Sequence, residues 1–464
     1  MRRLSTRAVA VAALVIFSSA PALAQFPSTP PVPGKPKPFI LPKRKTISLA
    51  NGMKISMVPF GITPKVSVRL FLRTGSIDET PEQLNLAGLM GDLWNEGTVN
   101  TDARAIAQTM AGMGGALGIG MGSDLSSIGA DVLSANAADL VALVAEVARQ
   151  PRFPDSELAR LKTARLRNLA IARTQPGTQA GLKFNALMYG DHPYGRGLPT
   201  DAQLQGYTTD QIKAFYAANV GAARAHLYIV GVFDAAAAEK AARAAFADWS
   251  AGPAASVKPV NPPKERQVSV IDRPAAVQST LYVGLPVADQ SHPDYVKLTV
   301  TDAILGGSFG SRITANIREN KGYTYSPFST IATRNKTATW MEIADVTTNV
   351  TGPSITEIFK EVEKLRNEAP PREELERIQR GIAGTFVLQN GSRGGITAQL
   401  ANVDAYNLGE NFLSDYTTKV FAVTPADIKA TMQQYLTVEK MSVVVVGDRK
   451  VIDEQLKQVL GAVP

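Results

Sequence analysis

The chain repeats itself once, and that repeat constrains the fold more than any other feature of the sequence. Thr208-Thr209-Asp210-Gln211-Ile212-Lys213 sets a hydroxyl three residues ahead of a glutamine, a pattern that caps a helix, and leads to the strand-like run His226-Leu227-Tyr228-Ile229-Val230-Gly231. Thr424-Pro425-Ala426-Asp427-Ile428-Lys429 leads in the same way to Met441-Ser442-Val443-Val444-Val445-Val446-Gly447. The starts correspond too: Val66 to Leu72 alternates as a half-buried strand, and Ser279 to Leu285 holds the matching place in the second half. Between these runs, residues 135–149, 155–173, 355–367 and 373–388 carry apolar residues at three- and four-residue spacing, which predicts helices. Each half is therefore expected to be α+β, a mainly antiparallel sheet covered by helices, and the halves to be homologous domains.

Two proline-dense stretches bound those halves, residues 26–42 and 251–266. Proline removes backbone donors and favours extended, solvated chain, so both stretches are expected to be linkers. The expected organisation is a leader at 1–24, a Pro-rich tail at 25–44, an N-terminal domain at 45–252, a linker at 253–265 and a C-terminal domain at 266–464. With 45% hydrophobic and 19% charged residues over 464 positions, there is ample material for such cores. The leader has basic Arg2, Arg3 and Arg7, an apolar run from Ala8 to Phe17 and Ala22-Leu23-Ala24, the pattern of a cleavable secretory signal. Periplasmic export is the expectation. An uncleaved surface anchor is disfavoured because the run has no polar helical face. No later run reaches the ~20 apolar residues of a membrane span.

The formal charge of +8 would suggest a nucleic-acid partner, but residues 1–45 hold eight Lys and Arg and no acid. Eight minus eight leaves the remainder near neutral, so no basic binding face is expected. The chain has no cysteine, which excludes disulfides and thiolate metal sites.

Four further segments carry a resemblance: Leu49-Ala50-Asn51-Gly52-Met53-Lys54-Ile55, Arg73-Thr74-Gly75-Ser76-Ile77-Asp78-Glu79, Leu86 to Thr98 (LAGLMGDLWNEGT), and His192-Pro193-Tyr194-Gly195-Arg196. With the segment from Ile304 to Ser326, they resemble the pitrilysin-like zinc peptidases (inverzincins), the family of mitochondrial processing peptidase, over nearly the whole chain after the leader. Catalytic members carry H-x-x-E-H ahead of the Gly-Thr pair, where two histidines bind zinc and the glutamate activates water. Aligned on Gly97-Thr98, those positions are Gly88, Gly91 and Asp92. Glycine offers no ligand, and one aspartate falls short of the three protein ligands that a catalytic zinc needs. The family's downstream glutamate would fall within residues 165–170 (RLRNLA), which contain no acid. His192, His226 and His292 are scattered and are expected to be loop or strand-end residues. No metal or other cofactor is expected in this chain.

The second half keeps the other motif. Ser311 to Asn320 reads as a short helix, Gly322 as its left-handed terminator, and Tyr323 to Thr330 as the strand that follows. The resemblance implies that Arg318 and Tyr325 hold carbonyl groups of a bound peptide, with the tyrosine as an oxyanion donor. A fixed guanidinium charge and a directed phenol donor suit that work. The competing reading makes Arg318 a helix-end residue paired with Glu319 and Tyr325 an ordinary strand residue.

The glycine run from Gly112 to Gly122 lacks the lysine and hydroxyl of a phosphate loop. The resemblance places Gly115, Ala116, Leu117 and Gly118 on an edge strand that pairs with substrate backbone. A close-packed bend or bulge is the alternative. Gly306-Gly307 is read as a tight turn.

Two functions follow from the resemblance. In the first, this chain is the substrate-holding half of a clam-shell heterodimer with a homologous H-x-x-E-H subunit that carries the zinc, and the pair cleaves peptides. In the second, it is an inert scaffold or peptide-binding subunit of a larger complex. An autonomous metallopeptidase fails on ligand count.

Overall fold

The computed structural model describes residues 39–461, so the leader and most of the tail lie outside the described residues. The first half contains β1 (Lys45–Ser48), β2 (Lys54–Pro59), β3 (Lys65–Leu72), α1 (Leu86–Trp94), α2 (Ala103–Gly112), β4 (Gly118–Met121), β5 (Ser126–Leu133), α3 (Ala137–Arg149), α4 (Asp155–Thr174), α5 (Pro176–Tyr189), α6 (Asp201–Gly206), α7 (Thr209–Asn219), β6 (Ala225–Gly231) and α8 (Ala235–Phe246). The second half contains β7 (Val268–Asp272), β8 (Gln278–Val287), α9 (Tyr295–Leu305), a π-helix (Thr314–Asn320), β9 (Phe328–Arg334), β10 (Thr337–Thr347), α10 (Thr351–Asn367), α11 (Arg372–Gln389), α12 (Arg393–Tyr406), α13 (Phe412–Ala422), α14 (Pro425–Tyr435), β11 (Ser442–Gly447) and α15 (Arg449–Leu460).

The repeat extends to the strand order. The sheets run β1-β2-β6-β3-β5-β4 and β7-β11-β8-β10-β9. With β1 set aside, each strand of one sheet has its counterpart at the same place in the other. Both are antiparallel except for β2 with β6 and β7 with β11, which pair in parallel. The capping signal at Thr208 acts as read, its side chain accepting from the Gln211 amide, and Thr424 caps its counterpart helix by accepting from the Asp427 amide.

Each sheet packs one face on its own helices. The first core gathers Val68, Leu70, Leu89, Val144 and Ile212, and the second Leu281, Val283, Trp340, Ile358 and Val443. The opposite faces are covered by exchange. From the first half, α5 lays Ala180, Phe184 and Met188 on Val444 and Val446 of β11. From the second, the counterpart helix α12 lays Ile396, Leu400 and Ala401 on Tyr228 and Val230 of β6. That exchange corrects the expectation for β3: Val66, Ser67 and Val68 are all buried, because α12 covers the face that a two-layer domain would leave wet.

Candidate functional site

Helix α1 presents the positions where the zinc motif would stand. Its N-terminus is fixed by the buried Glu79 carboxylate, which accepts from the amides of Asn85 at 3.0 Å and Ala87 at 2.8 Å. Burial pushes the Glu79 carboxyl up to about 7, against those two hydrogen bonds. The far end is held by the Trp94 indole, which donates to Val147 O at 2.7 Å.

Gly88, Gly91 and Asp92 share a face of α1 by their spacing of three and four residues. Arg165 of α4 fills the space before Gly88 and Asp92. Its guanidinium donates to Asp92 Oδ2 at 2.5 Å, Asn85 Oδ1 at 2.7 Å and Gly88 O at 2.5 Å. A Cβ at Gly88 would stand 2.8 Å from the guanidinium, and a Cβ at Gly91 only 2.1 Å from Met121 Cγ of β4. These residues do not fit zinc: the one carboxylate is already paired, and a fixed cation occupies the place. Among the described residues, no group of three or more His, Asp or Glu side chains could hold a metal ion. Sequence reading missed Arg165 and Met121. The one signal in the sequence is Arg165 itself, which opens the segment 165–170 where the family's third ligand would fall.

The edge strand exists but is displaced. β4 covers Gly118–Met121 at the end of its sheet, so of Gly115, Ala116, Leu117 and Gly118 only the last belongs to it. The preceding residues terminate α2. Gly114 has φ of +79°, the Gly115 amide bonds Met110 O at 3.0 Å, and a Cβ at Gly115 would meet Asp131 O at 2.2 Å. At Gly115 the close-packed bend is what forms.

Arg318 and Tyr325 come together. The π-helix Thr314–Asn320 carries Arg318, and Gly322 follows in the left-handed region with φ of +66°, as expected. The strand starts later than the sequence suggested. Residues 323–327 make only an isolated bridge, Thr324 to Val346, and β9 begins at Phe328, because Pro327 cannot donate to a ladder. Tyr325 therefore sits in a turn and is 79% exposed. The Arg318 guanidinium lies between two rings, 4.6 Å from the centroid of Phe309 and 5.0 Å from that of Tyr325, and its Nε is 3.3 Å from Glu319. The Glu319 pairing is thus present alongside the stacking. These residues line an open cleft of about 400 Å³. Phe309, 77% exposed, is the member that sequence reading did not single out.

Behind the cleft, Gly306-Gly307 lies against two carboxyls, the buried Glu342 and the half-buried Asp302. A Cβ at Gly306 would lie 2.5 Å from Glu342 Oε2, and one at Gly307 2.4 Å from Asp302 Oδ2. Asp302 accepts from Ser329 Oγ at 2.5 Å and Trp340 Nε1 at 2.7 Å, and burial lifts it to about 6. Glu342 is fully buried, has no hydrogen-bond partner among the described residues, and is raised well above the usual carboxyl range by desolvation and then by Asp302.

The histidines serve local structure. His192 precedes a 3-10 turn and accepts from the Tyr194 amide at 3.2 Å, while His226 in β6 bonds Ser56 and Tyr228. His292 lies in the turn before α9 and accepts from the Asp294 amide at 3.1 Å. Tyr194 of the His192–Arg196 motif donates to Asp124 at 2.7 Å, which also accepts from Tyr406 of α12 at 2.8 Å. No helix among the described residues is long and apolar enough to cross a membrane.

Residues 61–200 match the family model described as insulinase (peptidase family M16), and residues 206–382 match the peptidase M16 inactive domain. The chain is 23% identical over 288 residues to an uncharacterized zinc protease of Rickettsia bellii, covering 60% of this chain and 67% of that protein. It is 21% identical over 424 residues to one of Streptomyces coelicolor, covering 90% and 92%. Among solved structures it is similar to a peptidase M16 inactive domain from Pseudomonas fluorescens, with a TM-score of 0.79, 28% identity and coverage of 87% and 98%. A protease from Helicobacter pylori has a TM-score of 0.81 at 19% identity, with coverage of 88% and 100%.

Proposed function

The chain belongs to peptidase family M16, and from that premise we propose that it is the substrate-holding, zinc-free subunit of a heterodimeric metallopeptidase acting on peptides in the periplasm. The partner is a homologous subunit with H-x-x-E-H, which supplies the zinc. The observation that carries this function is the pairing of a closed metal site with an open cleft. Arg165 and Met121 fill the face of α1, while Arg318 is held between Phe309 and the exposed Tyr325.

A guanidinium fixed between two rings is pre-organised to donate to a peptide carbonyl, and the Tyr325 hydroxyl supplies a second donor. Against a peptide bond attacked in the partner's site, those donors would stabilise negative charge on the carbonyl oxygen. β4 offers its unpaired edge to an extended segment of the peptide. Export rests on the leader described above.

The scaffold alternative explains the filled face of α1 equally well but gives no use for an Arg–Tyr pair lining an open cleft. In a complex assembled with the H-x-x-E-H homologue, Arg318→Ala or Tyr325→Phe is expected to lower kcat by on the order of a hundred- to a thousandfold at unchanged zinc content. Unaltered turnover in both variants would favour the scaffold.

A further inference from the structure

We propose that Gly91 and Met121 form a latch that fixes the edge strand β4 on α1 and so keeps its free edge in place for an extended peptide; this deepens the peptide-holding function above and rests on it. β4 has little of its own to hold it. It is four residues long, pairs among the described residues only with β5, and two of its residues are Gly118 and Gly120, both exposed and without side chains. Glycine leaves the outer face bare for an approaching backbone but weakens the strand.

Its inward residues compensate. Ile119 and Met121, two apart, turn toward the first core, and Met121 enters α1 where Gly91 lacks a side chain. The fit is tight enough that a single Cβ at Gly91 would fall 2.1 Å from Met121 Cγ. α1 is in turn tied to α4 by the three bonds of Arg165. Just beyond β4, the carbonyls of Gly122 and Ser123 accept from the amides of Ser76 at 3.2 Å and Ile77 at 3.1 Å, which fixes the strand's other end. A glutamate at position 91 cannot coexist with this arrangement. Glycine at position 91, which offers no base, is thus also the residue that admits Met121 and secures the strand.

The test uses the chain alone, with two readouts: amide hydrogen exchange of residues 118–121, and anisotropy of a fluorescent casein-derived peptide. Met121→Ala is expected to speed exchange in β4 by about tenfold and to weaken peptide binding by a similar factor, while amides of β6 and β11 keep their protection. Met121→Leu should restore both. Gly91→Ala should loosen β4 because its methyl collides with Met121, and Gly91→Ala with Met121→Ala should be less impaired than the two single effects combined. Unchanged β4 exchange in Met121→Ala, or strict additivity in the double variant, overturns the latch. Loosened β4 with undiminished peptide binding overturns it as well. Neither readout requires a partner subunit, so a failure of the mixed subunits to cleave peptide bears on the proposed function and not on this result.

Discussion

Arg165 makes a structural joint at the positions where the family's zinc motif would stand. Its three hydrogen bonds join α4 to α1 through Asp92, Asn85 and the Gly88 carbonyl, and two of those residues stand where zinc ligands would be. The pair is partly exposed, with Arg165 at 23% and Asp92 at 35%, so the cost of Arg165→Ala is set at about 1–2 kcal/mol, measurable by urea denaturation. A sharper expectation concerns metal. Gly88→His, Gly91→Glu and Asp92→His together should still not bind zinc stoichiometrically, because Arg165 and Met121 remain in the way; metal analysis of the purified variant checks this. At this scale the loss of ligands was legible from Gly88, Gly91 and Asp92. The replacement was not, since Asp92 and Arg165 lie 73 residues apart and only the packing of α1 on α4 brings them together.

At the scale of elements, helices and central strands were legible because period and capping are local. The capping box at Thr208 formed as read, and its counterpart at Thr424 forms as well. The departures fall where a neighbour decides. The approach of β5 sets a bend at Gly115 within the glycine run, so that β4 starts only at Gly118, and Pro327 delays β9. The paired acids under Gly306-Gly307 were invisible to periodicity, since Asp302 lies on α9 and Glu342 on β10. Their pH dependence has a definite sign. A carboxyl whose folded pKa is raised binds its proton more tightly in the native state, so its contribution is intact at low pH and is lost as pH rises through the folded value. For Asp302 that window runs from about 4 to about 6 and amounts to about 3 kcal/mol, from a rise of about two pK units. Asp302→Asn keeps an acceptor for Ser329 and Trp340, and stability measured from pH 4 to 7 should fall less steeply in that variant than in the parent. Glu342→Gln should gain on the parent at pH 8 relative to pH 5 for the same reason.

The molecule as a whole is a duplicated unit whose copies exchange a helix. The duplication was readable from paired termini and starts, but the exchange was not, because α5 and α12 have the same apolar periodicity whichever sheet they cover. Phe184 is buried against the second sheet although it belongs to the first half, so Phe184→Ala should cost about 3–5 kcal/mol and lower the unfolding of both halves together, seen as one shifted transition in calorimetry. Both the Arg318 cleft and the β4 edge belong to this one compact body, and the proposed function assigns the metal to a second subunit. The most direct measurement is zinc-dependent cleavage of a casein-derived peptide by this chain alone, by an H-x-x-E-H homologue alone, and by the two mixed. Activity confined to the mixture is the predicted result, and cleavage by this chain alone, or no gain on mixing, contradicts the account.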